Sequence, residues 1–166
     1  MFKTFRYLVL VLIFIGCSGQ RNINGSPPEI ELIELGYGLC SVNTGKIQKM
    51  DNSPSGIHYI SSDFNLIKRT SNVPAEIGQR FGVAYILKSP DYKEVQVEIV
   101  WTFPKPISNS KNETFTEVRY VNNKRTNEDH HETYALNSDY LIEKGNWMYQ
   151  MFIDGKKMYE REFNLE

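Results

Sequence analysis

Long apolar runs, an excess of basic charge, histidine clusters and cysteine pairs are all scarce in this chain of 166 residues. The longest apolar run, Tyr7 to Ile15, has nine residues, whereas a helix that spans a bilayer needs about 20. Nineteen Lys and Arg against 20 Asp and Glu leave a net charge of −1. Nothing here offsets a phosphate backbone, so nucleic acid is excluded as a partner. There are three histidines. A zinc site wants three or four converging ligands. In Glu128-Asp129-His130-His131-Glu132 the adjacent histidines of an extended strand would point to opposite faces, and His58 is far away in sequence. This stretch therefore reads as a solvated turn without a metal, leading into a short strand from His131 to Leu136.

Catalytic signatures are equally thin. No Gly-x-Ser-x-Gly elbow occurs, and Ser53-Pro54-Ser55-Gly56 reads as a turn. No glycine-rich phosphate loop opens a helix. Carboxylate pairs such as Glu29/Glu31 and Glu160/Glu162 lie two apart on expected strands, a common pattern on solvated sheet surfaces. The expectation is a chain without enzymatic activity, cofactor or metal.

Aromatic and β-branched residues are present instead. Ten Tyr and nine Phe suit half-buried sheet surfaces. Glu94 to Phe103 alternates cleanly, with Val95, Val97, Ile99, Trp101 and Phe103 on one face, as a strand requires. Pro104-Lys105-Pro106 should stop it, because proline donates nothing to a ladder. Phe81 to Lys88 reads as a central strand. From Glu29 to Val42, Ile33, Leu35, Tyr37 and Leu39 fall on one side, with Gly36 and Gly38 opposite, which suggests a bulge or a close strand approach. Residues 43–56 read as a loop. Ile57 to Thr70 reads as a strand with Ile60, Phe64 and Leu66 on one face, and 114–121 as an edge strand followed by a charged turn, Asn122 to Asp129. Short strands with Gly, Pro and Asn turns predict an all-β, antiparallel sandwich of about seven to eight strands.

The last hairpin organises this sandwich. Asp154-Gly155 is a strong signal for a tight turn, since both central positions of a type I′ turn need positive φ. Trp147, Tyr149, Met151 and Ile153 share one face before it, and Tyr159, Phe163 and Leu165 one face after it. Trp101, Trp147, Phe163, Tyr149, Val97 and Ile99 are the expected core, with the two tryptophans close together. The run from Leu141 to Trp147, with its Gly145-Asn146-Trp147, resembles the corner that opens the penultimate strand of immunoglobulin-like domains. Together with Val73-Pro74-Ala75, Ile77-Gly78 and Phe81-Gly82, it resembles a bacterial family of uncharacterised exported domains of unknown function. The resemblance covers about Glu29 to Leu165. It implies an immunoglobulin-like fold and brings no activity, cofactor or catalytic residue.

The N-terminus reads as an address. Lys3 and Arg6 precede the apolar run, which ends in Phe14-Ile15-Gly16-Cys17. This is a secretory pattern that resembles the bacterial lipobox. Residues 1–16 are then a signal peptide, Cys17 carries lipid, and the polar stretch to Pro28 tethers a domain at 29–166. One acyl chain binds a membrane reversibly and several bind lastingly. Ser18 favours the outer membrane under enterobacterial-type sorting. A Cys17–Cys40 disulfide, the plain guess for an exported chain, gives way to lipidation. Cys40 is left as a buried small residue without a neighbour to activate it. Function is then expected to be that of a lipid-anchored binding or accessory module of the cell envelope, with an envelope protein or glycan as partner. The longest loops (43–56 and 104–113) and Tyr59, Tyr92 and Tyr120 are the candidate contacts. An envelope hydrolase or carbohydrate-active domain, and a structural subunit of an envelope complex, are the rival readings.

Overall fold

A computed structural model describes residues 30–166; the expected signal segment, Cys17 and the tether lie outside the described residues. Nine strands occur in the order β1 (Glu31–Lys49), β2 (Ile57–Lys68), β3 (Asn72–Val73), β4 (Arg80–Lys88), β5 (Glu94–Ser108), β6 (Thr114–Arg125), β7 (Asp129–Ala135), β8 (Gly145–Ile153) and β9 (Lys156–Leu165). One sheet has the order β2-β1-β4-β7 and the other β3-β9-β8-β5-β6. Every pairing is antiparallel except β3 with β9, which is parallel. The expected sandwich is therefore present, with nine strands in place of seven to eight. The extra one is the two-residue β3, where the chain crosses from the small sheet to the edge of the large one and Val73 is fully buried.

The final hairpin has the expected turn. Asp154 and Gly155 both have positive φ, 50° and 75°, and Ile153 pairs with Lys156 across a two-residue loop. Trp147, Tyr149 and Met151 are fully buried along β8. Phe163 opposes Trp147. At the corner, Gly145 has φ 123°, and a Cβ there would stand 2.9 Å from Pro104 Cβ. The Trp147 indole donates to Glu143 O at 2.8 Å and so pins the chain that turns into β8.

Val97, Ile99 and Trp101 of β5 pack on Phe81, Val83, Tyr85 and Leu87 of β4 in one core. The two tryptophans are joined through shared neighbours: Phe81 meets Trp101 and Trp147 edge-on at 5.7 and 5.9 Å, and Tyr134 meets them at 5.5 and 4.9 Å.

Four expectations are corrected. The first half of the supposed loop 43–56 is strand: β1 continues to Lys49, and residues 50–56 turn. Its polar composition reflects exposure on both faces, which pairing with β2 tolerates. Pro104 and Pro106 do not end β5. The ladder to β6 breaks after Thr102 and resumes at Ile107, so the prolines occupy an irregular stretch that asks no N–H of them. Ile33, Leu35 and Ile60 are exposed. Register shifts between Glu34 and Gly36, and around Asp63 (φ 55°), move them off the faces that simple alternation assigns. The charged turn is only residues 126–128, and Thr126 within it is fully buried. Its hydroxyl donates to Asp91 O at 2.7 Å and accepts from Lys93 N at 2.9 Å, clasping one inter-sheet connection to another.

Replacing Trp147 with alanine removes a fully buried ring and its hydrogen bond. It should cost about 3–5 kcal/mol in urea unfolding; a loss below about 1 kcal/mol would show that the indole is not part of the core.

Candidate functional site

Two twisted sheets that face each other leave two open flanks, and a glutamate of the small sheet closes each. On the β1 flank, Glu34 Oε2 accepts from Tyr159 Oη and Arg161 Nη2, both at 2.5 Å and both on β9. Glu34 Oε1 accepts from Arg69 at 2.9 Å. The Arg161 guanidinium lies 3.8 Å over the Tyr37 ring, a favourable cation–π arrangement. Burial pushes the Glu34 carboxyl up, but the hydrogen bonds from Tyr159, Arg161 and Arg69 outweigh it and hold the group below its ordinary value.

On the β7 flank, Glu132 is 4% exposed. Its Oε2 accepts from Tyr120 Oη of β6 at 2.7 Å. Its Oε1 faces Lys124 Nζ of β6 at 2.7 Å, an ion pair that lies off the hydrogen-bond direction. Burial, then the Glu132 charge, raises the Tyr120 phenol well above its usual range. Nearby, the Tyr85 and Tyr149 hydroxyls and the Trp101 indole N–H are buried without a hydrogen-bond partner of normal geometry.

The small sheet is also curled. Gly38 (φ 131°) lets β2 lie so close that a Cβ would stand 2.1 Å from Lys68 O. The β1–β2 hairpin therefore folds over the outer face of its own sheet and meets β7 again. Ser61 Oγ lies 2.9 Å from His131 Nε2, and Phe64 stacks near the same ring at 5.7 Å. The hairpin tip reaches the other sheet, where His58 meets Tyr120 at 5.1 Å and the Asn52 amide donates to Arg119 O on the edge of β6. Between β2, β6 and β7 lies a cleft of about 940 Å³, a size suited to a small ligand. Tyr59, Ser61, Arg80, Tyr120, Lys124 and His131 are among its walls, and it reaches inward to Trp101. Burial is the first cause that lowers the pKa of both His58 and His131 and so favours their neutral form.

The residues singled out from sequence separate in space. Trp101, Trp147, Phe163, Tyr149, Val97 and Ile99 are buried in the core. His130 and His131 project to opposite faces: His130 packs against Tyr85 at 5.6 Å, while His131 faces β2. Glu132 lies on β7, the strand expected from His131 onward, but as a buried clasp and not on a solvated surface. Tyr59 and Tyr120 line the cleft, while Tyr92 stands 79% exposed, away from it. Lys124 and Arg119 are held by Glu132, Glu98 and Glu117. The Ser61–His131 contact was not foreseen, since the two residues lie 70 positions apart. Cys40 is 4% exposed, and burial raises its thiol to about 12.

Comparison with known proteins adds the family. The sequence model of a family described as "Domain of unknown function (DUF3859)" matches residues 30–165. The chain belongs to this family. A search of curated proteins gave no match. Among solved structures, an immunoglobulin-like protein from Pseudomonas aeruginosa superimposes with a TM-score of 0.61 at 18% identity, covering 86% of this chain and 100% of that one. This likeness shows an immunoglobulin-like fold. A Pseudomonas fluorescens alkylpurine DNA glycosylase bound to DNA (TM-score 0.38, 14% identity, 57% of this chain and 27% of that one) and a Listeria innocua β-glucosidase (0.37, 10%, 83% and 16%) are too distant to support an argument.

Two outcomes follow from these environments. Because the folded Glu34 is more acidic than the unfolded one, its stabilisation is complete above pH about 4.5 and is lost as the pH falls through the folded value. Glu34→Gln should lose roughly 1–3 kcal/mol near neutrality. Its urea midpoint should also depend less on pH below that range, and parallel wild-type and variant pH profiles would refute this. In a Cys17→Ser background, Cys40 should react with a thiol reagent only in denaturant; rapid labelling of the native protein would show the thiol to be accessible.

Proposed function

We propose that this member of the DUF3859 family is a non-catalytic binding module of the bacterial cell envelope. Lipid on Cys17 holds it to a membrane, the outer one under the sorting rule that Ser18 suggests, and it takes a small polar ligand in the cleft between β2, β6 and β7. The observation that carries the binding reading is that cleft. It is roomy, and its walls mix tyrosine, histidine, serine, arginine and lysine. Convergent polar groups in a cleft of this size are a usual mark of a ligand site. The envelope reading rests on Lys3, Arg6, the apolar run and Gly16-Cys17.

A hydrolase reading has one observation in its favour, the Ser61 Oγ to His131 Nε2 contact at 2.9 Å. A neutral imidazole could accept the serine proton. Among the described residues, however, no carboxylate is hydrogen-bonded to the ring to orient it, and Ser61 lies along a strand, not on a sharp elbow.

Three measurements decide between these readings. NMR titration of the full chain in detergent with envelope saccharides should shift the signals of His131, Tyr120 and Trp101; ligands that bind while leaving these unmoved would place the site elsewhere. Ester and glycoside substrates should show no turnover, and turnover abolished by Ser61→Ala would establish the hydrolase. Mass spectrometry of membrane-extracted protein should find an acylated N-terminal Cys17, absent in Cys17→Ser; an unmodified chain would remove the anchor.

A further inference from the structure

Arg80 is the unusual group in the cleft. It begins β4, on the face of the small sheet turned away from the core. Among the described residues no carboxylate lies within ion-pair distance of it, although Arg69, Arg119, Arg125 and Arg161 each have one. Its one hydrogen bond goes from Nη1 to Thr133 Oγ1 of β7, at 3.0 Å. A guanidinium carries five N–H donors in a planar fork, so most of this fork is left for water or a ligand. The residue is only partly exposed, and its neighbours are neutral: burial lowers its pKa, and Cys40 and Tyr59 are the groups that act on it electrostatically.

The surroundings are arranged for a guest on the same face. β4 and β7 are paired so that Gly82 opposes Thr133 and Ala84 opposes His131. Arg80, Thr133 and His131 therefore share one face, and Gly82 and Ala84 add almost no side chain between them. Ser61 and Phe64 of β2 approach His131 from the other side. The result is a cationic fork beside hydroxyl and imidazole groups, opposite an aromatic ring, along one cleft.

We propose that Arg80, with Thr133, His131 and Ser61, receives the anionic group of a small ligand, a carboxylate or a phosphate, whose body lies along Tyr59 and Phe64. This rests on the reading of the cleft as a binding site and names the chemistry of what binds there. Arginine suits the task because its fork matches both anions bidentately, and in a partly desolvated cleft the attraction is stronger than in water. The elements that build the subsite carry Asp63, Asp129 and Glu132 as well. Glu132 is already neutralised by Lys124 and Tyr120, and Asp63 is held by Asn43 and Ser62. Asp129, exposed at the start of β7, should disfavour ligands that carry a second negative charge at that end.

The test uses the full chain in detergent and calorimetric titration with glucose, glucuronate, glucose 1-phosphate and inorganic phosphate. Glucuronate, glucose 1-phosphate or both should bind at least about tenfold more tightly than glucose. Which of the two is preferred separates the carboxylate from the phosphate source, and inorganic phosphate reports the anion without a body. Arg80→Gln should abolish the difference from glucose while its unfolding midpoint stays close to wild type. If that variant does not fold, Arg80→Lys carries the test: it keeps the charge but loses the fork, and should retain part of the preference. Wild-type affinity for the anions should weaken with added salt. Equal binding of glucose and glucuronate, with no effect of either substitution, would overturn the anion subsite and leave the cleft intact. Anion binding that leaves the His131 and Tyr59 signals unmoved would also overturn it. Failure of every probe here, together with no cleft response to the wider saccharide titration, would overturn both readings.

Discussion

Closing the flanks of the sandwich is the constraint on which the rest depends. Strand pairing satisfies the backbone within each sheet but does nothing for the seam between sheets. Here each seam is bridged by a glutamate of the small sheet that grips a tyrosine and a cation of the large one. Glu34 holds Tyr159 and Arg161, and Glu132 holds Tyr120 and Lys124. A carboxylate taken out of water costs much unless several donors receive it. Glu34 meets that condition with three hydrogen-bond donors, while Glu132 has one phenol donor and the opposite charge of Lys124. The pairs fix which strands face each other, something the apolar core cannot do, because burial is nearly indifferent to orientation.

The cleft follows from the second clasp. β7 ends the small sheet and would offer an open edge, a liability in any sandwich. Here the β1–β2 hairpin folds around it, helped by Gly38, whose missing side chain permits the close approach of β2. The tip is pinned by Asn52 to the edge of β6. The cover is incomplete, and the space left under it is the candidate site. The protection of an edge and the opening of a binding cleft are thus one structural event. This also explains why the cleft is polar: it is lined by strand surfaces that would otherwise face water.

Much of the fold was legible in local signals. The Asp154-Gly155 turn, the alternation through Trp101 and the Gly145–Trp147 corner each rest on chemistry within a few residues. The misreadings came where the alternation slips. Register shifts at Glu34/Gly36 and around Asp63 moved Ile33, Leu35 and Ile60 to the outside, and a sequence pattern has no way to announce which residue a bulge absorbs. The polar stretch 43–49 looked like a loop because its strand is exposed on both faces, and 122–125 looked like a turn because its half-buried face carries Asn122 and Lys124 in place of apolar residues. The site was less legible than the fold. Tyr59 and Tyr120 were singled out, but Arg80, Ser61 and Thr133 carry no motif, and His131 and Glu132 were read at the start of a short strand with no role for their side chains.

What the sequence determined by itself is what short-range chemistry can encode: an all-β chain, where its tightest turn lies, and which aromatic faces are apolar. What only the tertiary structure decided is which distant polar groups meet. Glu34 lies 127 residues from Arg161, and Ser61 lies 70 from His131. Their pairing depends on how far the small sheet curls and on which flank each strand occupies. Those quantities are set by the twist and close packing of whole sheets, and no local stretch of the chain contains them.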